Sequence, residues 1–150
     1  MSCIIHFIGD NANVDELQRL CPIAPCNVFV KGEPRTTRPN ARLARTSGIS
    51  VVASDAEFEA FEQQQAEAIK FLRRYHTELK AMRMVVGVEM ASIDFGIYMR
   101  NVIVQNDSFG PDLLAEIASL QLRLVLSQYP PQGRAKRVKQ YRRALRGTSF

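Results

Sequence analysis

Between Ser54 and Arg83 the apolar side chains recur at intervals of three and four. Phe58, Phe61, Ala68, Leu72, Tyr75, Leu79 and Met82 form the row, with Gln65 its only polar member. That spacing places one stripe along an α-helix and predicts a single long helix over about residues 55–83. Ser54 and Glu57 stand three apart at its start, the arrangement of a capping box. Ile69 and Phe71 widen the stripe beyond a coiled-coil seam, and β-rich runs bracket it, so the helix is expected to pack on a sheet.

The flanking runs supply that sheet. "CIIHFIG" (3–9) reads as a strand with both faces partly covered, on which His6 alternates with Ile4 and Ile8 on an inner face. "NVDELQRLCP" follows as a helix capped by Asn13, with Glu16 three positions on and Val14, Leu17, Leu20 and Cys21 sharing a face. Pro22, which has no amide hydrogen, stops it. "NVFVKG" (27–32) and "SGISVVAS" (47–54) read as strands, as do "MVVGVEMA" (84–91) and "FGIYM" (95–99). "VIVQ" (102–105) reads as a continuation of the last or a short edge piece. Pro111 opens a further helix with Leu113, Leu114, Ile117 and Leu120 inward, and "LRLVLSQY" (122–129) is the final strand. The order β-α-β-β-α-β-β-α-β predicts an α+β fold: an antiparallel or mixed sheet with helices on one face and a ferredoxin-like flavour.

A chain of 150 residues has room for one such domain, and its burial suffices to fold without a metal or disulfide. The domain is expected over residues 1–130, followed by a basic segment, 131–150, that is partly helical or disordered. No window approaches 18 consecutive apolar residues, so no membrane span is expected. The opening "MSCIIHFIGDN" lacks a basic n-region, which favours a cytoplasmic chain. Cys3, Cys21 and Cys26 fit a reducing compartment. The four residues between Cys21 and Cys26 do not match a zinc spacing, so neither metal nor cofactor is expected.

Charge is unevenly spread. "RAKRVKQYRRALR" holds Arg134, Lys136, Arg137, Lys139, Arg142, Arg143 and Arg146 with no acid. The other 13 Lys and Arg face all 15 Asp and Glu, so the body is about neutral. In a helix, Val138, Tyr141 and Leu145 would share one side of this segment. It suits an anionic surface, either nucleic acid or membrane, and equally suits a solvated terminus. A second basic stretch, "KGEPRTTRPNARLAR" (31–45), is broken by Pro34 and Pro39 and reads as a loop. Its Arg35, Arg38, Arg42 and Arg45 either join the basic segment in one patch or pair with acids of the body.

Chemistry-bearing motifs are few. Asp94-Phe95-Gly96 matches the magnesium-binding triplet of protein kinases, but no glycine-rich loop or catalytic loop accompanies it, so it reads as strand. His6 reads as a hydrogen-bonded core imidazole, and His76 as a partner for the negative end of a helix. Glu89 and Asp94 are the only acids of residues 84–99, and no nucleophile–base signature is evident.

"IHFIGDNANVDELQRLCPIAP" followed by "VFVKGEP" resembles the start of the bacterial domain of unknown function 4279 family. "VGVEMASIDFGI", "PDLLAEIASL" and "LRLVLSQYP" resemble its second half, so the likeness covers roughly residues 3–130. It implies a small α+β protein, with some members associated with immunity proteins that neutralise toxins of neighbouring cells. It supplies no catalytic residues. The expectation is a non-enzymatic protein-binding module that occludes a protein partner. The alternative is a nucleic-acid-binding accessory protein using the basic segment. A homodimer through a sheet edge or the long helix fits either.

Overall fold

The computed structural model describes residues 2–130. The basic segment, including Arg134, Lys136, Arg137, Lys139, Arg142, Arg143 and Arg146, lies outside the described residues.

Strand β1 (Cys3–Gly9) runs through the middle of a five-stranded sheet. Its alternation is clean: Cys3, Ile5 and Phe7 are fully buried, while Ile4, His6 and Ile8 on the other side are half-buried. Helix α1 (Val14–Leu20) follows, with the Asn13 Oδ1 accepting the Glu16 N–H at 3.1 Å and Leu17 buried, as the sequence pattern requires. Strands β2 (Asn27–Phe29) and β3 (Ser47–Ser54) pair antiparallel, and β3 pairs antiparallel with β1. Strand β2 is shorter than the expected 27–32, because a turn begins at Val30, whose carbonyl accepts the Glu33 N–H.

The long stripe forms as two helices, α2 (Phe61–Arg74) and α3 (His76–Arg83), separated at Tyr75 with φ −113° and ψ 24°. The stripe itself survives the break: Ala68, Leu72, Leu79 and Met82 are all fully buried. The polar residue buried within it is Gln64 rather than Gln65. Helix α2 also starts later than the Ser54–Glu57 pair suggests. Ser54 Oγ donates to Glu67 at 2.6 Å and accepts the Ala56 N–H, so residues 55–60 form a separate turn before the helix.

The sheet resumes as one strand, β4 (Met90–Tyr98), where two had been expected at 84–91 and 95–99. Residues 84–89 are a turn, because Gly87 takes a left-handed φ of +84° and backbone crowds it on two sides. A Cβ on Gly9 would fall 1.7 Å from the Gly87 carbonyl oxygen, and one on Gly87 would fall 2.1 Å from that of Asn11. Residues 102–105 are loop rather than strand. Helix α4 (Pro111–Ser119), with proline in its first turn, then crosses to β5 (Arg123–Tyr129).

The strand order is β2-β3-β1-β4-β5. Neighbours are antiparallel except β4 and β5, which are parallel and so need a crossover, here α4. Strands β1 to β4 thereby form two interleaved split β-α-β units, with β5 extending the sheet. The fold is α+β with a mixed sheet. One core joins Ile5, Phe7, Val51, Ile93 and Phe95 to side chains from all four helices, which therefore lie on one face. Among the described residues no helix is long and apolar enough to cross a membrane.

Candidate functional site: an arginine cleft and a bare sheet face

The 31–45 excursion is a two-limbed arm. Pro34 bridges Leu43, Gly32 N–H reaches the Ala44 carbonyl at 2.9 Å, Ala44 N–H reaches Glu33, and Arg35 N–H reaches Arg42 at 3.1 Å. The limbs turn near Asn40, whose φ of +61° is one that asparagine tolerates better than most residues. This pairing sets Arg35 opposite Arg42. With Arg45, both line a cleft of about 510 Å³ shared with Phe29, Leu43, Ala44 and Thr46. Phe29 is 7% exposed, and the Arg35 guanidinium stands 5.3 Å from its ring centroid, a cation–π distance. Arg38 sits in the turn of the arm and does not line the cleft.

None of the four arginines forms an ion pair among the described residues, so the alternative of pairing with body acids is not what the arm does. The nearby Lys31 is neutralised by Asp10. Each guanidinium offers five donors in a planar fork that matches carboxylate or phosphate oxygens. The cleft is thus equipped to hold an anion against an apolar floor.

The helix-free side of the sheet carries a second constellation. Direct register partners cross all five strands in the row Asn27, Ser50, His6, Ser92 and Arg123. His6 Nδ1 contacts Ser50 Oγ at 2.8 Å, and burial holds the imidazole below its ordinary pKa while Asp94 pulls weakly the other way. Asp94 Oδ2 accepts from Ser127 Oγ at 2.8 Å, and its buried Oδ1 has no partner. His6 is hydrogen-bonded as expected, but the face it shares with Ile4 and Ile8 is the bare one, not the inner one. Alternation shows that two sets of residues diverge; only the helices decide which set they cover. Ser50 is 4% exposed, so its hydroxyl is shielded rather than presented.

Other expectations resolve locally. Asp94-Phe95-Gly96 lies in β4, with Phe95 in the core and the Gly96 carbonyl accepting from Gln64 at 2.9 Å. His76 follows the end of α2 and contacts Ser119 Oγ at 3.2 Å. Glu89 lies in the turn before β4 and accepts the Asp10 N–H. The three cysteines are free; burial raises each thiol's pKa, and that of Cys3 rises furthest. Among the described residues no three His, Cys, Asp or Glu side chains converge as a metal site requires. The sequence pointed to the arm but not to the floor beneath it, since Phe29 reads only as part of a strand.

No protein-family model, no curated protein and no solved structure matches this chain.

Proposed function

We propose that this chain is a non-enzymatic protein-binding module, held in the cytoplasm, that grips an acidic segment of its partner with the arginine arm. The observation that carries the reading is the cleft over Phe29. Three guanidinium-bearing residues without ion-pair partners among the described residues, Arg35, Arg42 and Arg45, line one cleft, and Arg35 stands over the Phe29 ring. Exposed ion pairs contribute only about 0.2–1 kcal/mol each, so such a cleft favours a ligand that engages several arginines together. An acidic peptide segment meets that description. The kind of partner proposed, a toxin whose working surface is occluded in the manner of an immunity protein, rests on the sequence resemblance of residues 3–130 alone.

A second reading rests on the sequence of the basic segment: its seven positive charges without an acid suit a nucleic acid. One titration separates the two. Fluorescence anisotropy is read for the full chain against a glutamate-rich peptide and against a single-stranded oligonucleotide of equal charge. The proposed function expects the peptide to bind more tightly, and replacement of Arg35, Arg42 and Arg45 by Ala to weaken it more than tenfold. Preference for the oligonucleotide, unaffected by those replacements, would transfer the activity to the basic segment. Binding of neither would end both readings.

A further inference from the structure

The strand that follows the arginine arm ends in the arm's electrostatic opposite. Strand β3 leaves the arm at Ser47 and finishes at Ser54, and the residues after it read "DAEFEAFE" (55–62). Asp55, Glu57, Glu59 and Glu62 stand there with no Lys or Arg among them. Residues 31–45 carry Lys31 and four arginines against Glu33 alone. The chain thus holds a basic end and an acidic end, joined by a single strand.

The acidic stretch is presented to solvent. Glu57, Glu59 and Glu62 are exposed, and none forms an ion pair among the described residues. Arg100, which shares a cleft with Glu59 and Glu62, is spent on Asp107 at 2.6 Å. The backbone of the stretch is already set. The Ala60 N–H donates to the Glu57 carbonyl at 3.0 Å, Ser54 Oγ accepts the Ala56 N–H at 3.1 Å, and Phe58 stacks on Tyr129 at 5.2 Å. Cross-limb hydrogen bonds set the arm in the same way. Two preformed surfaces lose little freedom on meeting, which favours their association.

They do not meet within one molecule. At about 3.3 Å per residue, roughly 23 Å of strand separates Ser47 from Ser54. The arm enters one end of β3 and the acidic turn leaves the other, so the two lie at opposite ends of the sheet.

From this charge complementarity we infer that the acidic turn of one copy, residues 55–62, docks in the Arg35, Arg42 and Arg45 cleft of another, so that the chain associates head to tail. The inference rests on the reading of the cleft as a site for acidic peptide segments and names a second copy as one such partner. Because the contact joins unlike surfaces, each assembly keeps a free arm at one end and a free turn at the other, and growth continues as a ring or a filament. One arm serves both partners, so self-association and capture of another protein's acidic segment exclude each other.

The test follows the mass of the full chain by sedimentation velocity as concentration and salt are varied. Particles larger than the monomer are expected at about 0.05 M salt, with association weakened by about tenfold or more at about 0.5 M. Replacement of Arg35, Arg42 and Arg45 by Ala disables the arm, and replacement of Glu57, Glu59 and Glu62 by Gln disables the turn. Each variant alone should stay monomeric with its circular dichroism unchanged. Mixed, they should form a particle of two copies and nothing larger, since one supplies the turn and the other the arm. Excess glutamate-rich peptide should return the wild-type chain to monomer, a readout that depends on no variant's folding. A monomer at every concentration, assemblies that ignore the peptide, or a mixture that stays monomeric or grows past two copies would each overturn the inference. Peptide binding that still depends on the three arginines would then leave the proposed function standing, and its absence would end both.

Discussion

The two faces of the sheet come from the same strands, one residue apart in register, yet they are built for different surroundings. On one, Ile5 and Phe7 meet Val51, Ile49, Ala91 and Ile93, and four helices close over them. On the other, Ile4, His6 and Ile8 meet Val52, Ser50, Ser92 and Asp94, and no described helix covers them. The covered face is apolar at each of these positions, and the bare face alternates apolar residues with a polar row. The difference shows that β1 is specified twice over. Its odd residues fix the fold, and its even residues only need to tolerate partial exposure while pairing their polar groups.

The sharpest way to break that comparison is to truncate neighbours on opposite faces. Phe7→Ala is expected to cost about 3–5 kcal/mol, through lost transfer and the cavity left behind. Ile8→Ala, at a half-buried position, should cost about 1 kcal/mol. Urea unfolding midpoints read both, and equal losses would mean that the bare face is as tightly packed as the covered one.

Next in size is Gln64, the one polar side chain in the covered stripe. Its Nε2 donates to the Glu57 and Gly96 carbonyls at 3.0 and 2.9 Å, so it ties the turn before α2 to β4. Gln64→Ala is expected to cost about 1–3 kcal/mol by leaving those acceptors unpaired. Gln64→Met keeps most of the volume and also removes the buried Oε1, which has no hydrogen-bond partner, so it should cost less than Gln64→Ala.

A smaller effect belongs to His6 on the bare face. Burial lowers its pKa from 6.5, against a lesser upward pull from Asp94. The unfolded chain therefore binds the proton more readily, and stability rises with pH across the interval. It is full above about 6.5 and declines as pH falls below that value toward the lowered folded pKa. Unfolding midpoints taken from pH 8 to 5 should show this slope, and His6→Gln should flatten it. The smallest contrast concerns reactivity rather than stability. Iodoacetamide should modify exposed Cys26 first, then Cys21, and leave buried Cys3 until the chain unfolds.

Most of the elements were legible because their signals are local. Asn13 and Pro22 bound α1, Pro111 starts α4, β-branched runs mark β1 and β3, and alternating leucines mark β5. What failed depended on distant neighbours. Met84 to Val88 has strand composition, but the close passage of Gly9 and Asn11 against Gly87 makes it a turn. Strand order hangs on which segments β1 meets, and no local spacing encodes that. The four arm arginines were visible as residue types. The cleft that Arg35, Arg42 and Arg45 share with Phe29 was not, because it arises from hydrogen bonds between limbs seven and more residues apart.

The position of β1 at the centre of the sheet also governs how the protein is made. It emerges from the ribosome before either of its neighbours, whose pairings with it begin at Ser47 and Met90. Translation must run past Tyr98 before both of its hydrogen-bonding edges are occupied. In that interval a strand carrying Ile4, Ile5, Phe7 and Ile8 keeps an open edge toward other nascent chains, the condition under which β-rich polypeptides associate wrongly. Slower synthesis between residues 54 and 98 lengthens the time for which that edge stays open.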